Sequence, residues 1–217
     1  MSPFRKLLRR LVALSAAALL CAPAAKAHPH VFADVGLVLD LDAERNVVSV
    51  EVTWRYDDFF SLLILEDMGL DADGDGALTP AELTALERFD LDNWYEGFEG
   101  DLYMYSGEQK LTLGAPEFVS VSVDEGRITS VHRRSVSPAP ADGLVIEPYD
   151  PTYYIAFEAS LPITLPAPCT AAVAKPDLDE AARKMQQELA QIPEDQFLEI
   201  EPGRDFADRI EVTCAAS

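Results

Sequence analysis

The chain has 217 residues, of which 17 are Lys or Arg and 38 are Asp or Glu, for a formal net charge of −21 with histidine neutral. So negative a surface repels phosphate backbones, which excludes nucleic acid as a partner, and it concentrates cations around the protein. The length suits one domain able to bury a substantial core.

Residues 1–27 read as a secretory signal peptide, with a basic start (Arg5, Lys6, Arg9, Arg10), an apolar stretch from Leu11 to Ala22, and small residues ending Ala25-Lys26-Ala27. A membrane anchor needs about 20 apolar residues, whereas this run is shorter and flows into Pro23. Cys21 offers a lipoprotein acylation site, but Leu20 stands before it where such signals place a small residue. The expected location is therefore the periplasm, reached through a cleaved signal. The leader carries five basic residues and no acid, leaving 12 basic and 38 acidic residues, a net of −26, for a mature chain that begins at His28. Cys169 and Cys214 remain in an oxidising compartment, and a disulfide between them is expected.

From Val31 to Leu41, apolar residues occupy alternate positions, which predicts a strand with one buried face. Asp42 to Asn46 is turn-like, and Val48, Val50, Val52 and Trp54 alternate with polar residues, completing a hairpin. Asp57 and Asp58 supply alternative caps for a helix, Phe59 to Met68, that is apolar nearly all round and so is expected to be buried. Thr79-Pro80-Ala81-Glu82 gives a cap, a proline at the first helical position and an acid three residues after the cap, which predicts a second helix to about Phe89. Strands follow at Leu102 to Tyr105, Lys110 to Leu113, Phe118 to Val123 and Ile128 to Val136. Ser137 to Gly143 reads as a proline-rich loop. Leu144 to Glu147 and Tyr153 to Glu158 are further strands, Leu178 to Gln191 a polar helix, and Arg209 to Cys214 a closing strand. The fold class is α+β: one mostly antiparallel domain over 28–217, with an EF-hand-like helix-loop-helix inserted at 57–99.

The segment from Asp71 to Glu82 meets each requirement of the EF-hand loop: acids at positions 1, 3 and 5, glycine at 6 and glutamate at 12. A hard cation takes six to eight oxygens, and alternate residues of a tight loop point inward. Calcium would thus be held by the carboxylates of Asp71, Asp73 and Asp75, the Ala77 carbonyl, a water-bridged contact at Thr79 and both oxygens of Glu82. A solitary loop of this kind suits a structural ion better than a sensor. The competing reading is an acidic turn that happens to fit.

Cleavage after Ala27 leaves His28-Pro29-His30 at the amino terminus. The α-amine and the His28 imidazole can chelate one nickel, cobalt, zinc or copper ion, with His30 adding a third nitrogen. In an extended chain the two histidines share a face roughly 7 Å apart. Pro29 has no N–H, which closes the square-planar copper/nickel mode that needs a deprotonated amide at residue two. The bland alternative is a solvated terminus. Asp34 lies about 13 Å beyond His30 along a straight strand and is not counted as a ligand; His132 reads as structural. The cluster Tyr149-Asp150-Pro151-Thr152-Tyr153-Tyr154 is read first as packing and second as the lining of a pocket or a contact surface.

HPHVF at the mature start, DADGDGALTPAE, YDPTYYIAFE and FADRIEVTC together resemble domain-of-unknown-function family 1007, described as the periplasmic component of an uncharacterised ABC-type transport system. The resemblance implies an exported protein associated with transition-metal transport. No Ser-His-Asp order, P-loop, CxxC or HExxH is present to carry catalysis. The expectation is a non-catalytic periplasmic metal-handling accessory or solute-binding protein with a structural calcium. The alternative is a calcium-stabilised module that docks an inner-membrane metal permease. A copper oxidase with a histidine brace is a third reading, for which only His132 is left as the remote ligand.

Overall fold

The computed structural model describes residues 29–92, 94, 95, 97–193 and 200–215. The leader and His28 lie outside the described residues. Eleven strands and three α-helices are found among them. Strand β1 (Val31–Leu41) and β2 (Asn46–Tyr56) form the expected hairpin. Its turn is tied by Asp42, whose Oδ1 accepts the amides of Glu44 and Asn46. The alternation read from the sequence matches what is buried: Val31, Ala33, Val35, Leu37 and Leu39 all face the core.

The first sheet runs β5 (Glu117–Asp124), β6 (Arg127–Pro140), β2, β1 and β8 (Ile155–Glu158), with β9 (Ile163–Thr164) also on β1. The second runs β10 (Cys169–Ala174), β11 (Arg209–Cys214), β7 (Leu144–Pro148), β3 (Leu102–Ser106) and β4 (Gln109–Lys110). Residues from both sheets, among them Leu37, Val52, Met104, Ile146 and Ile210, join one buried cluster. Pairing is antiparallel except where β8 and β9 run parallel to β1. The domain is thus mostly β, with α1 (Asp58–Met68), α2 (Pro80–Leu86), α3 (Leu178–Leu189) and a 3-10 turn, Pro202–Phe206, attached.

Several expectations are corrected. Residues 137–140 continue β6 rather than forming a loop: Val47 pairs with Ala139 and Ser49 with Ser135, so β6 carries two extra residues there. Such a bulge accommodates Pro138, whose missing N–H would break a regular ladder. The strand expected at Lys110 to Leu113 shrinks to β4 and an isolated bridge between Leu113 and Val136. Tyr153 and Tyr154 precede their strand, and α2 stops at Leu86.

Helix α1 is the largest departure, because only one of its sides is covered. Asp57 caps it, accepting the Phe60 amide at 2.8 Å, and holds it to β1 by accepting the Phe32 amide at 2.7 Å. Ser61 is buried, donating its hydroxyl to the Asp57 carbonyl and accepting the Ile128 amide of β6 at 2.9 Å. That hydrogen bond draws one narrow side of the helix, Ser61 and Leu65, onto the sheet. Phe59 and Leu62 on the other side are left 65% and 51% exposed.

Candidate metal centre

Helix α1 ends where Gly69 turns left-handed and donates its amide back to Glu66, while Leu70 donates to Leu65. Leu70, just before the acidic loop, and Leu78, within it, both pack on the core cluster and anchor the loop. Helix α2 opens with the predicted capping box: the Glu82 amide donates to Thr79 Oγ1, and the Thr79 amide donates to Glu82 Oε2 at 2.8 Å. Seven residues make a marginal helix in water; its fully buried Leu86 fastens it to the core.

Within the loop, Asp71 accepts the amides of Asp75 and Gly76, and Asp75 accepts the Ala77 amide. Gly76 has φ +77°, the conformation for which position 6 needs a residue without a side chain. One carboxylate oxygen from each of Asp71, Asp73 and Asp75 lies within 4.8 Å of the others. Two oxygens on opposite sides of a calcium ion at about 2.4 Å each would stand about 4.8 Å apart, so this spacing fits a calcium shell. Among the described residues, no Lys, Arg or His pairs with these three carboxylates or with Glu82. Glu82 stands apart from the triad. Its Oε1 accepts the Asp71 amide and its Oε2 the Thr79 hydroxyl and amide, and these hydrogen bonds, led by that of the Thr79 hydroxyl, lower its pKa. The donor set fits a hard cation, with the acids of positions 1, 3 and 5 gathered and that of position 12 latched across the loop.

His30 lies just before β1, where its ring packs on Tyr154 at 4.9 Å between centroids and its amide donates to the Tyr154 carbonyl. Asp34 is engaged by Arg55, Arg127 and Ser160. His132 is 1% exposed, sits edge-on to Trp54 and Trp94, and has no hydrogen-bond partner for either ring nitrogen among the described residues. Burial and the adjacent Arg134 push its pKa down to about 3, so it is neutral. Val52 pairs with both Leu37 and His132, which places His132 two strands from β1 and level with a residue seven positions beyond His30. Seven strand residues span roughly 23 Å, too far for the two histidines to share an ion. The histidine-brace reading therefore loses its third ligand.

Cys169 and Cys214 form the expected disulfide, as directly paired residues of β10 and β11. The tyrosine cluster has a role that sequence reasoning placed second. Tyr149, Asp150, Pro151 and Thr152 line a cavity of about 660 Å³, together with Asp101, Tyr103, Glu201 and Arg204. Gly203 lets the 3-10 turn close on this region, since its amide donates to Pro151 and a Cβ there would lie 1.8 Å from the Asp150 carbonyl. Asp101 had no sequence signal: one acid in a connection carries no periodicity, and its burial depends on segments distant in the chain. No helix among the described residues is long and apolar enough to cross a membrane.

The model of a family described as a protein of unknown function, DUF1007, matches residues 13–214. No curated protein sequence matches the chain. Among solved structures, the acetylcholine-binding protein type 1 of Biomphalaria glabrata aligns over 94% of this chain and 95% of its own, at 13% identity and a TM-score of 0.32.

Proposed function

The chain belongs to the DUF1007 family, and from that premise we propose that it is an exported, periplasmic metal-handling accessory of a transition-metal transport system, stabilised by one calcium ion in its EF-hand-like loop. What supports the reading is the gathering of Asp71, Asp73 and Asp75 with no basic residue to neutralise them among the described residues. Calcium would be held by those three carboxylates, with the Ala77 carbonyl, Thr79 and a released Glu82 completing the shell. The ion would supply charge neutralisation and rigidity between α1 and α2. The transition-metal site would be His28 with its α-amine and His30, and the substrate ion one of nickel, cobalt, zinc or copper.

The experiment is calorimetric titration of protein beginning at His28 with each transition metal, in excess calcium, beside His28→Ala and His30→Ala. Binding should weaken in both variants and fade as pH falls through about 6 to 7, where protons compete for imidazole. Equal binding by all three proteins would end the histidine reading.

A second reading, a calcium-stabilised module docking a membrane permease, is favoured by a separate observation. Phe59, Leu62, Leu63 and Met68 stand exposed on the helix that enters the loop, and apolar patches of this kind commonly mark contact surfaces. Under that reading, replacing Leu62 and Leu63 with Ser would abolish partner capture while leaving metal binding intact.

A further inference from the structure

The cavity beside the tyrosine cluster has a one-sided charge balance. Each cation in its wall already has a carboxylate: Lys110 pairs with Glu99, and Arg204 with Glu147 at 2.9 Å. Each also lies against an aromatic ring, Lys110 over Tyr103 and Arg204 over Tyr105. Asp150 is satisfied within its own turn, accepting the hydroxyl of Thr152 and the amides of Thr152, Tyr154 and Ile155. Asp101 differs. It is 7% exposed, and among the described residues its carboxyl group has no hydrogen bond or ion pair. Burial, and then the neighbouring Asp150, push its pKa up to about 8.

With a pKa of about 8, Asp101 is mostly protonated at neutral pH, and ionising it without a partner is costly; a cation that donates to the ionised form recovers that cost. An anion would oppose the ionisation, and a neutral molecule would leave the acid protonated. A bare metal ion has too few donors here: no His or Cys lines the wall, and no three-ligand group other than that of the acidic loop is found among the described residues. Tyr103 and Tyr149, stacked with centroids 4.1 Å apart, add aromatic surface, which favours cations and carbon frameworks alike. The volume lies within the roughly 300–1,000 Å³ range of small-molecule sites.

We propose that this cavity binds a small organic ammonium ion, whose N–H groups donate to the Asp101 carboxylate while Tyr103 and Tyr149 contact its carbon skeleton. The assignment goes beyond the metal reading and rests on neither the calcium loop nor the histidines. A primary ammonium is preferred to a quaternary one because the unfilled group is a hydrogen-bond acceptor, which a quaternary nitrogen cannot satisfy.

The test is calorimetric titration of the protein, in excess calcium, with benzylammonium and n-butylammonium chloride, against the neutral isostere benzyl alcohol. Benzylammonium should bind at least about tenfold more tightly than the alcohol, the span of one charge-assisted hydrogen bond. Asp101→Asn should remove that preference. Asparagine tolerates the left-handed backbone at this position, where φ is +50°, so the variant keeps its local conformation. Tyr149→Leu, checked by circular dichroism, provides a second variant and should weaken both aromatic probes severalfold. The proposal is overturned if the alcohol and the ammonium bind alike, if Asp101→Asn binds benzylammonium as tightly as the native chain, or if neither ammonium ion gives heat up to about 10 mM.

Discussion

Replacing Asp101 by Asn should make the protein more stable, and more so as pH rises. An acid with a raised folded pKa favours the fold while protonated. Its contribution is therefore greatest below the unfolded value near 4 and is lost as pH climbs toward and through the folded value of about 8. A shift of about four units at 1.36 kcal/mol each sets an upper bound of roughly 5 to 6 kcal/mol, less what water entry and relaxation recover. The causes are burial first and the neighbouring Asp150 second, and neither supplies a positive charge. Urea unfolding of the native chain and the variant at pH 5, 7 and 9, with calcium fixed, gives the difference directly, because every other titrating group cancels. The variant should gain at least about 2 kcal/mol on the native protein between pH 5 and 9. Parallel stability curves would refute the burial of an unpaired carboxyl at Asp101.

Calcium at about 10 mM should stabilise the fold by roughly 1.4 to 2.7 kcal/mol for a dissociation constant of about 0.1 to 1 mM, and Glu82→Gln should lose most of that gain in thermal melts. Identical melts with calcium and with chelator would leave the loop as an acidic turn. Reducing the disulfide opens a link with a sequence separation of 45 residues and should cost about 4 kcal/mol, read as a lower urea midpoint after reduction and alkylation. His132→Leu removes two buried nitrogens that lack partners, so it should be neutral or stabilising by about 1 kcal/mol; a loss above about 2 kcal/mol would mean that the ring packing on Trp54 and Trp94 outweighs the orphaned nitrogens.

Local rules carried the sequence reading wherever a segment's neighbours lie within it. The hairpin from Val31 to Tyr56 and the capping box at Thr79 were legible because alternation and capping act over a few residues. The parallel pairing of Ile155–Glu158 onto β1 was not, since nothing inside a four-residue strand names a partner more than a hundred residues away. Helix α1 misled because an all-apolar helix normally signals full burial; here the hydrogen bond of Ser61 to Ile128 fixes which side faces the sheet. For the candidate sites the division is the same. The acidic loop is contiguous and was visible, whereas the cavity gathers residues from 95 to 204, and only its tyrosine turn left a trace in the sequence.

The disulfide also bears on how the molecule keeps to itself. β10 forms one edge of the second sheet, and such edges invite strand addition from another chain. Because Cys169 and Cys214 are directly opposed, the bond clamps this outer strand to β11 at one end of their six-residue register. A strand held covalently cannot peel away and expose β11 as a fresh template, the opening that domain swapping and aggregation require.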